Sequence, residues 1–456
     1  MNRKNVVLFT VDDLNYNTLG CFGSPVVGVS PNLDKFCEEN TKLTNANVTI
    51  GVCQPSRSVM MTGLYPHCNG ARGFEAIDSS CTTLTEVLHE NGYYNGIIGK
   101  EDHLAPKQKF FWDFYQRTLN DENNWGRDPE NYYGHVSRFL SEAEKEGKNF
   151  FLMVNSHDPH RPFAGSDNEI KKFGRHVDCD FFYSPEDVDV KGCHPDLPPI
   201  RKEMAQYYSS VRRADQCFGR VMDALKERGL YDECLILFLS DNGMALPFCK
   251  TNCYLNSTKS PYIFKLPSSM REGSKKEVDT LINGIDITPT FLDILGLAPI
   301  EGVNGHSFLS CLFHGGEYQN DIYTLFFKTS VNPKTKEPGY YPMRAVQDKK
   351  YVYIYNGWSD GVTEFRNESM VGLTFDAMVE EAKTNEEVKK RVDLYLFRTK
   401  EEFYDLENDP DCLCNLLDRS EYKDKIDYFR KRMGAYMLES RDAYLDRFKK
   451  EVLNKM

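Results

Sequence analysis

The sequence predicts an α/β protein: a large, doubly wound, mostly parallel sheet followed by a smaller α+β domain. Three observations predict it. Four short apolar runs each end in a polar cluster, helical patterns lie between them, and the texture of the chain changes near residue 320. Continuous apolar runs of this length suit strands buried on both faces. Their alternation with helices selects a parallel sheet with helices on both sides.

The first run, Val6–Val11, stops at Asp12-Asp13. The second, around Ile97-Ile98, stops at Lys100-Glu101-Asp102-His103, and the third, Phe150–Val154, stops at Ser156-His157-Asp158-Pro159-His160. The fourth, Leu235–Leu239, stops at Ser240-Asp241-Asn242-Gly243. Helical periodicity is expected over about residues 31–41, 83–91, 130–146 and 201–229. Open sheets of this kind bind ligands beyond the carboxyl ends of their strands. All four polar clusters stand at carboxyl ends, so one site is expected there. Beyond residue 320, Tyr351–Tyr355, Asp393–Phe397 and Glu402–Leu406 read as strands, and residues 420–454 as a charged helical tail packed back on the first domain. The expected division is residues 1–320 for the catalytic domain and 321–456 for the second.

The chain has 456 residues, a net charge of -12 and no long basic run, which argues against a nucleic-acid partner. No stretch reaches membrane-spanning length. The run after Met1 is too short for a secretory leader, so a cytoplasmic location is expected; a mature form of an exported chain stays open as the alternative. The 14 cysteines are scattered. Cys249 with Cys253 and Cys412 with Cys414 are the closest groups, and neither is matched by a second pair at zinc spacing. Free thiols in a reducing compartment are expected.

Asp12, Asp13, Asp241 and Asn242 are all oxygen donors, which suit a hard divalent cation, Ca²⁺ or Mg²⁺, rather than zinc. Cys53 precedes Pro55, a residue fitted to the first turn of a helix, and Gly63 is a plausible stop. Cys53 is therefore expected near a helix N-terminus, where free N–H groups attract anions, with Arg57 about one turn further along the same face.

Cys53-Gln54-Pro55-Ser56-Arg57, with Thr62-Gly63 in register, resembles the signature of type I sulfatases of the alkaline phosphatase superfamily. In that family the cysteine is oxidised after translation to formylglycine. The resemblance implies an alkaline-phosphatase-like fold, sulfate hydrolysis, a maturation enzyme as partner, and Ca²⁺ held by Asp12, Asp13, Asp241 and Asn242 beside the modified Cys53. It further implies that Lys100 and Lys250 contact the sulfate and that His157 protonates the leaving atom. The family's Lys-x-His pattern is one residue longer here, Lys100-Glu101-Asp102-His103, which leaves the role of His103 open.

Ser156–Arg161, Pro247–Asn252 and Tyr341–Gln347 resemble segments of the family's sulfamidase branch, and the likeness runs over about residues 5–420. Lys250 departs from that branch, which has arginine there. The resemblance implies N-sulfated glucosamine of heparin or heparan sulfate as substrate, with His160, Arg161, Thr251, Asn252 and Arg344 around the sugar. Arg344 equally fits a strand residue of the second domain. Three alternatives stay open: an O-sulfatase, a phosphodiester or phosphonate monoester hydrolase, and a sulfoglycan-binding protein with unmodified Cys53.

Overall fold

A computed structural model describes residues 4–314, 318–330 and 334–456. The strands are β1 (Asn5–Val11), β2 (Thr41–Leu43), β3 (Ala46–Asn47), β4 (Tyr94–Ile98), β5 (Phe114–Gln116), β6 (Phe150–Asn155), β7 (Cys234–Ser240), β8 (Tyr262–Lys265), β9 (Glu277–Val278), β10 (Ile282–Asn283), β11 (Ile322–Lys328), β12 (Tyr340–Gln347), β13 (Tyr351–Asn356) and β14 (Glu401–Asp405). Eight of them form one sheet in the order β5-β4-β6-β1-β7-β8-β2-β9. The four apolar runs of the sequence are β4, β6, β1 and β7, adjacent and all parallel. β8 runs antiparallel to β7, and β2 antiparallel to β8.

Every residue of β6 and β7 is buried. Alternate side chains of β1 enter two different cores: Val7, Phe9 and Val11 one, Val6 and Leu8 the other. That is the period of two expected of a strand covered on both faces. Helices Pro129–Glu146 and Pro198–Glu227 pack against each other over one face, and helices Leu84–Glu90 and Ile287–Ile294 contribute to the core on the other. The four helices expected from the sequence are present within a few residues of their predicted ends.

The second sheet begins at Ile322 and is an antiparallel meander, β11-β12-β13-β14. Asp393–Phe397 is not one of its strands. It closes the helix Glu386–Phe397, whose cap Asn385 accepts from the N–H groups of Glu387 and Val388. The buried Val388, Val392 and Tyr395 recur at helical spacing, which outweighs the short apolar run at the end. The charged tail is two helices, Lys423–Glu439 and Leu445–Glu451. The first lies on the small sheet, and just beyond its end the carbonyl of Ser440 meets His67 at 3.1 Å. Among the described residues no helix is long and apolar enough to cross a membrane.

Candidate active site at the carboxyl edge of the sheet

Cys53 opens the helix Cys53–Thr62, all ten residues of which are buried. Val52 before it is extended and makes no side-chain cap, so the first N–H groups are not spent on a neighbouring hydroxyl or carboxylate. Gly63 closes the helix at φ 67° and returns its N–H to the carbonyl of Val59. Burial pushes the Cys53 thiol up to about 12, so the unmodified side chain is a neutral thiol, a poor nucleophile at neutral pH.

Arg57 is fully buried one turn further on. It donates to Thr10 Oγ1 at 2.5 Å, to Asn155 Oδ1, and to Asp241 Oδ2 at 2.7 Å. The guanidinium thereby pins the Cys53 helix to the ends of β1, β6 and β7. The sequence expects Arg57 one turn along the face of an anion-attracting helix start; in the structure its two terminal nitrogens hold the frame, and only Nε lacks a partner.

Asp12, Asp13, Asp241 and Asn242 come together as the topology requires, and a carboxylate oxygen of each aspartate lies within 4.8 Å of the others. All four are completely buried. Lys100 pairs with Asp12, Lys250 with Asp13 at 2.6 Å, and the Asn242 amide donates to Asp13 Oδ1 at 2.6 Å. Asp12 Oδ1, Asp13 Oδ2 and Asn242 Oδ1 have no hydrogen-bond partner. Buried acceptors without donors are costly, and a divalent cation would satisfy all three at once. The donor set therefore fits a hard cation, as expected from the sequence. Burial, reinforced by Asp241, raises the pKa of Asp13 even against the pull of Lys250. Backbone strain gathers here too: Asp13, Lys100, Phe248 and Thr251 all have positive φ, 68°, 53°, 66° and 63°. Each such residue costs about 1–3 kcal/mol, tolerated where the surroundings fix the geometry.

Two lysines of opposite character face the carboxylates. Burial lowers Lys100 to about 7. Burial acts on Lys250 in the same sense, but Asp13 outweighs it and keeps that ammonium charged. His157 follows β6, with Nε2 3.1 Å from Thr118 Oγ1. Burial, then the charge of Lys100, holds its pKa well below the ordinary value. His103 is also depressed by burial, and its Nδ1 has no partner.

Of the residues expected around a sugar, two face open space. His160 lies 3.9 Å from Asp13, and Arg161 stands beside it on the wall of a cavity of about 660 Å³. Lys171, Lys172, Lys202, Glu203 and Glu368 line the same cavity. Arg161 is held by Glu203 at 2.6 Å and by the carbonyl of Ala245. The other three do not line that cavity. Thr251 and Asn252 are buried and turn back on their own loop, each donating to the Lys250 carbonyl, at 2.6 and 2.7 Å. Arg344 is 1 % exposed, paired through two nitrogens with Asp442 at 2.6 and 2.9 Å, and covered by Phe327 and Tyr444. It is the strand residue of the second sheet that the sequence offered as the other reading.

Sequence reasoning missed the layer beneath. Asp158 is clamped by Arg213 and Arg127, Arg213 also takes Glu169 at 2.9 Å, and Arg127 donates to the His160 carbonyl at 3.1 Å. This buried network fixes the loop carrying His157 and His160. Gly126 backs the imidazole of His157, and Glu368 reaches in from beyond the second sheet's third strand. Asp158 belonged to a polar cluster already singled out; its partners gave no local signal.

A cysteine at a buried helix start, a cluster of carboxylate and amide oxygens and two lysines, gathered at one sheet edge, are the arrangement of a sulfatase-type hydrolase. The sulfatase family pattern matches residues 4–297, and the chain belongs to that family. A second pattern, the C-terminal part of N-sulphoglucosamine sulphohydrolase, matches residues 246–361. The chain is 27 % identical to the N-sulphoglucosamine sulphohydrolase of Homo sapiens over 97 % of its own length and 91 % of that protein. It is 26 % identical to an ulvan-active sulfatase of Formosa agariphila over 95 % of its own length and 80 % of that protein. A solved structure in complex with its substrate D-glucosamine-2-N,6-O-disulfate superposes with a TM-score of 0.71 at 17 % identity, covering 98 % of this chain and 99 % of the other. A phosphonate monoester hydrolase of Agrobacterium radiobacter reaches 0.70 at 16 % identity, with 96 % of each chain covered.

Proposed function

We propose that this sulfatase removes the N-sulfate of a glucosamine at the end of a heparin-type saccharide. The observation that carries the reading is the second matched pattern, that of the C-terminal part of N-sulphoglucosamine sulphohydrolase over residues 246–361. Lys171, Lys172 and Lys202 on the wall of the adjoining cavity offer partners for an anionic saccharide, beside the acidic Asp167 and Glu368. The Asp12, Asp13, Asp241 and Asn242 cluster would hold Ca²⁺, with Mg²⁺ as the alternative, and Cys53 would be converted to formylglycine by a separate maturation enzyme. The cation would supply Lewis-acid polarisation of the sulfate oxygens, and the hydrated aldehyde a nucleophilic hydroxyl. All fourteen cysteines are unpaired, which supports a reducing, cytoplasmic setting and imported, already cleaved saccharides as substrates.

The chain's own residues divide the remaining work. Lys250 brings a permanent positive charge to the anion, preorganised by Asp13. Lys100, whose ammonium form burial disfavours, is stabilised in that form when an anion arrives beside it. His157 supplies a proton to the leaving nitrogen, which is too basic to depart unprotonated. The anion that His157 meets on substrate binding opposes the burial that otherwise keeps it neutral. Arg57 holds Asp241 and the Cys53 helix in register throughout.

A panel of N-sulfated glucosamine, 6-O-sulfated glucosamine and a phosphonate monoester tests the substrate. Turnover of the first alone is the expected result. Preference for the O-sulfate would leave the site intact and move the specificity; turnover of the phosphonate alone would displace the reading altogether.

A further inference from the structure

Cys249 has a partner the sequence did not reveal. It is not Cys253 but Cys193, whose Sγ lies 3.6 Å from that of Cys249. The two sulfurs are not bonded to each other. His194 completes the group, with Nδ1 3.6 Å from the Cys193 sulfur. One donor atom from each of the three lies within 4.8 Å of the others, and all three residues are buried. We propose that Cys193, His194 and Cys249 form a structural zinc site, separate from the oxygen-donor cluster, that clamps the loop carrying Lys250.

The geometry supports a tetrahedral ion. With Zn–S near 2.3 Å and Zn–N near 2.0 Å, ideal edges are about 3.8 Å between sulfurs and about 3.6 Å between sulfur and nitrogen. The sulfur–sulfur separation of 3.6 Å falls close to the first; the Cys193 sulfur lies 3.6 Å from Nδ1 and 3.8 Å from Nε2, against the ring, so the imidazole must turn to aim Nδ1 at the ion. The second ring nitrogen of His194, Nε2, lies 2.8 Å from the carbonyl of Pro247. A proton on Nε2 donated to that carbonyl leaves the Nδ1 lone pair free for the metal, the outer-sphere arrangement usual for a ligating imidazole. Among the described residues the group supplies three donors, and a water would complete the tetrahedron. Two thiolates and an imidazole are a soft set that selects zinc over the Ca²⁺ or Mg²⁺ suited to Asp12, Asp13, Asp241 and Asn242.

The position gives the ion a purpose. Cys249 immediately precedes Lys250, and the flanking Phe248 and Thr251 both sit in the left-handed region, at φ 66° and 63°. A cross-link from this strained turn to the segment before helix Pro198–Glu227 would hold Lys250 on Asp13. Binding converts each thiol to a thiolate and releases its proton to solvent, with no change of oxidation state.

The test uses full-length protein purified under reducing conditions, with Zn²⁺ and Co²⁺ as probes. Wild type and Cys53→Ala should each retain one equivalent of zinc through dialysis against a calcium-selective chelator. On replacement by Co²⁺ both should show a near-ultraviolet thiolate charge-transfer band and tetrahedral visible bands. Cys249→Ser should lose the bands and the zinc. Should that variant not fold, wild type decides alone: a thiol-mercurial titration should release the zinc as two thiols react. Wild type that takes up neither metal, a Cys193–Cys249 disulfide in a non-reducing peptide map, or zinc retained unchanged in Cys249→Ser would each overturn the proposal.

Discussion

Gly126 has no room for a methyl group, and this makes it a test of what His157 does. Its φ is 68°, and a β-carbon there would lie 2.2 Å from Cδ2 of His157 and 2.8 Å from Thr118 Oγ1. Carbon atoms in contact sit about 3.5–4.0 Å apart, so in Gly126→Ala the imidazole must retreat by about 1.3 Å or more. A displacement near 1 Å at a reacting group costs about 100-fold in rate. The left-handed backbone adds about 1–2 kcal/mol of destabilisation for alanine, a modest fall in Tm. The assay compares kcat/KM for N-sulfoglucosamine and for an aryl sulfate. The sugar amine needs a proton to leave and the phenolate does not. The N-sulfated substrate should lose about 100-fold and the aryl sulfate about tenfold or less. In a His157→Ala background the same change should cost almost nothing further, because the two act through one group. Equal losses on both substrates, or full activity in Gly126→Ala, would refute the assignment of His157 as the acid.

Four further outcomes follow from the same geometry. Cys53→Ala should fold normally and turn over nothing; residual hydrolysis at the wild-type rate would remove Cys53 from the mechanism. Chelation of calcium should abolish activity, restored by Ca²⁺ and not by Zn²⁺; unaffected turnover in the chelator would count against a cation at Asp13. Asn252→Ala should lose activity equally on sugar and aryl substrates, about tenfold from a lost buried hydrogen bond of about 1–3 kcal/mol, because Asn252 supports the Lys250 loop; a loss confined to the sugar would return it to the substrate wall. Asp442→Asn should destabilise by about 3–5 kcal/mol by leaving Arg344 buried and unpaired, read by urea unfolding.

That last pair also fixes a pH dependence. Burial alone would raise the pKa of Asp442, but Arg344 outweighs it and holds the carboxyl at about 2, below its ordinary 3.8. A carboxylate depressed on folding contributes stability that is complete above the unfolded value and lost as pH falls through the folded one. The wild type should therefore shed about 2 kcal/mol between about pH 4 and pH 2 through this group. The gap between wild type and Asp442→Asn should narrow over that window; a constant gap would show that Arg344 is not what depresses Asp442.

What the sequence made legible, and what it hid, divides along the distance over which each signal acts. β1, β4, β6 and β7 announce themselves because a strand covered on both faces must be continuously apolar, and each ends where a polar residue meets the open edge. Asp12, Asp13, Asp241, His157 and Lys100 are readable for the same reason: a strand end in a parallel sheet has a known address. The antiparallel β8 is short and has no such signature. Asp393–Phe397 shows the limit of a five-residue window, since its helical face is declared upstream by Val388 and Val392. Arg57, Asn252, Thr251 and Arg344 carry the chemistry of ligand binding, and the structure gives each a partner remote in sequence or its own turned backbone, which the sequence could not show. Arg57 finds Asp241 184 residues away, and Arg344 finds Asp442 98 residues away. Residue type proposes a role, and the distant partner decides whether the group is free to perform it. The unpartnered oxygens of Asp12, Asp13 and Asn242 are therefore the stronger evidence for a ligand: their type invites a cation, and the fold has left them nothing else to bind.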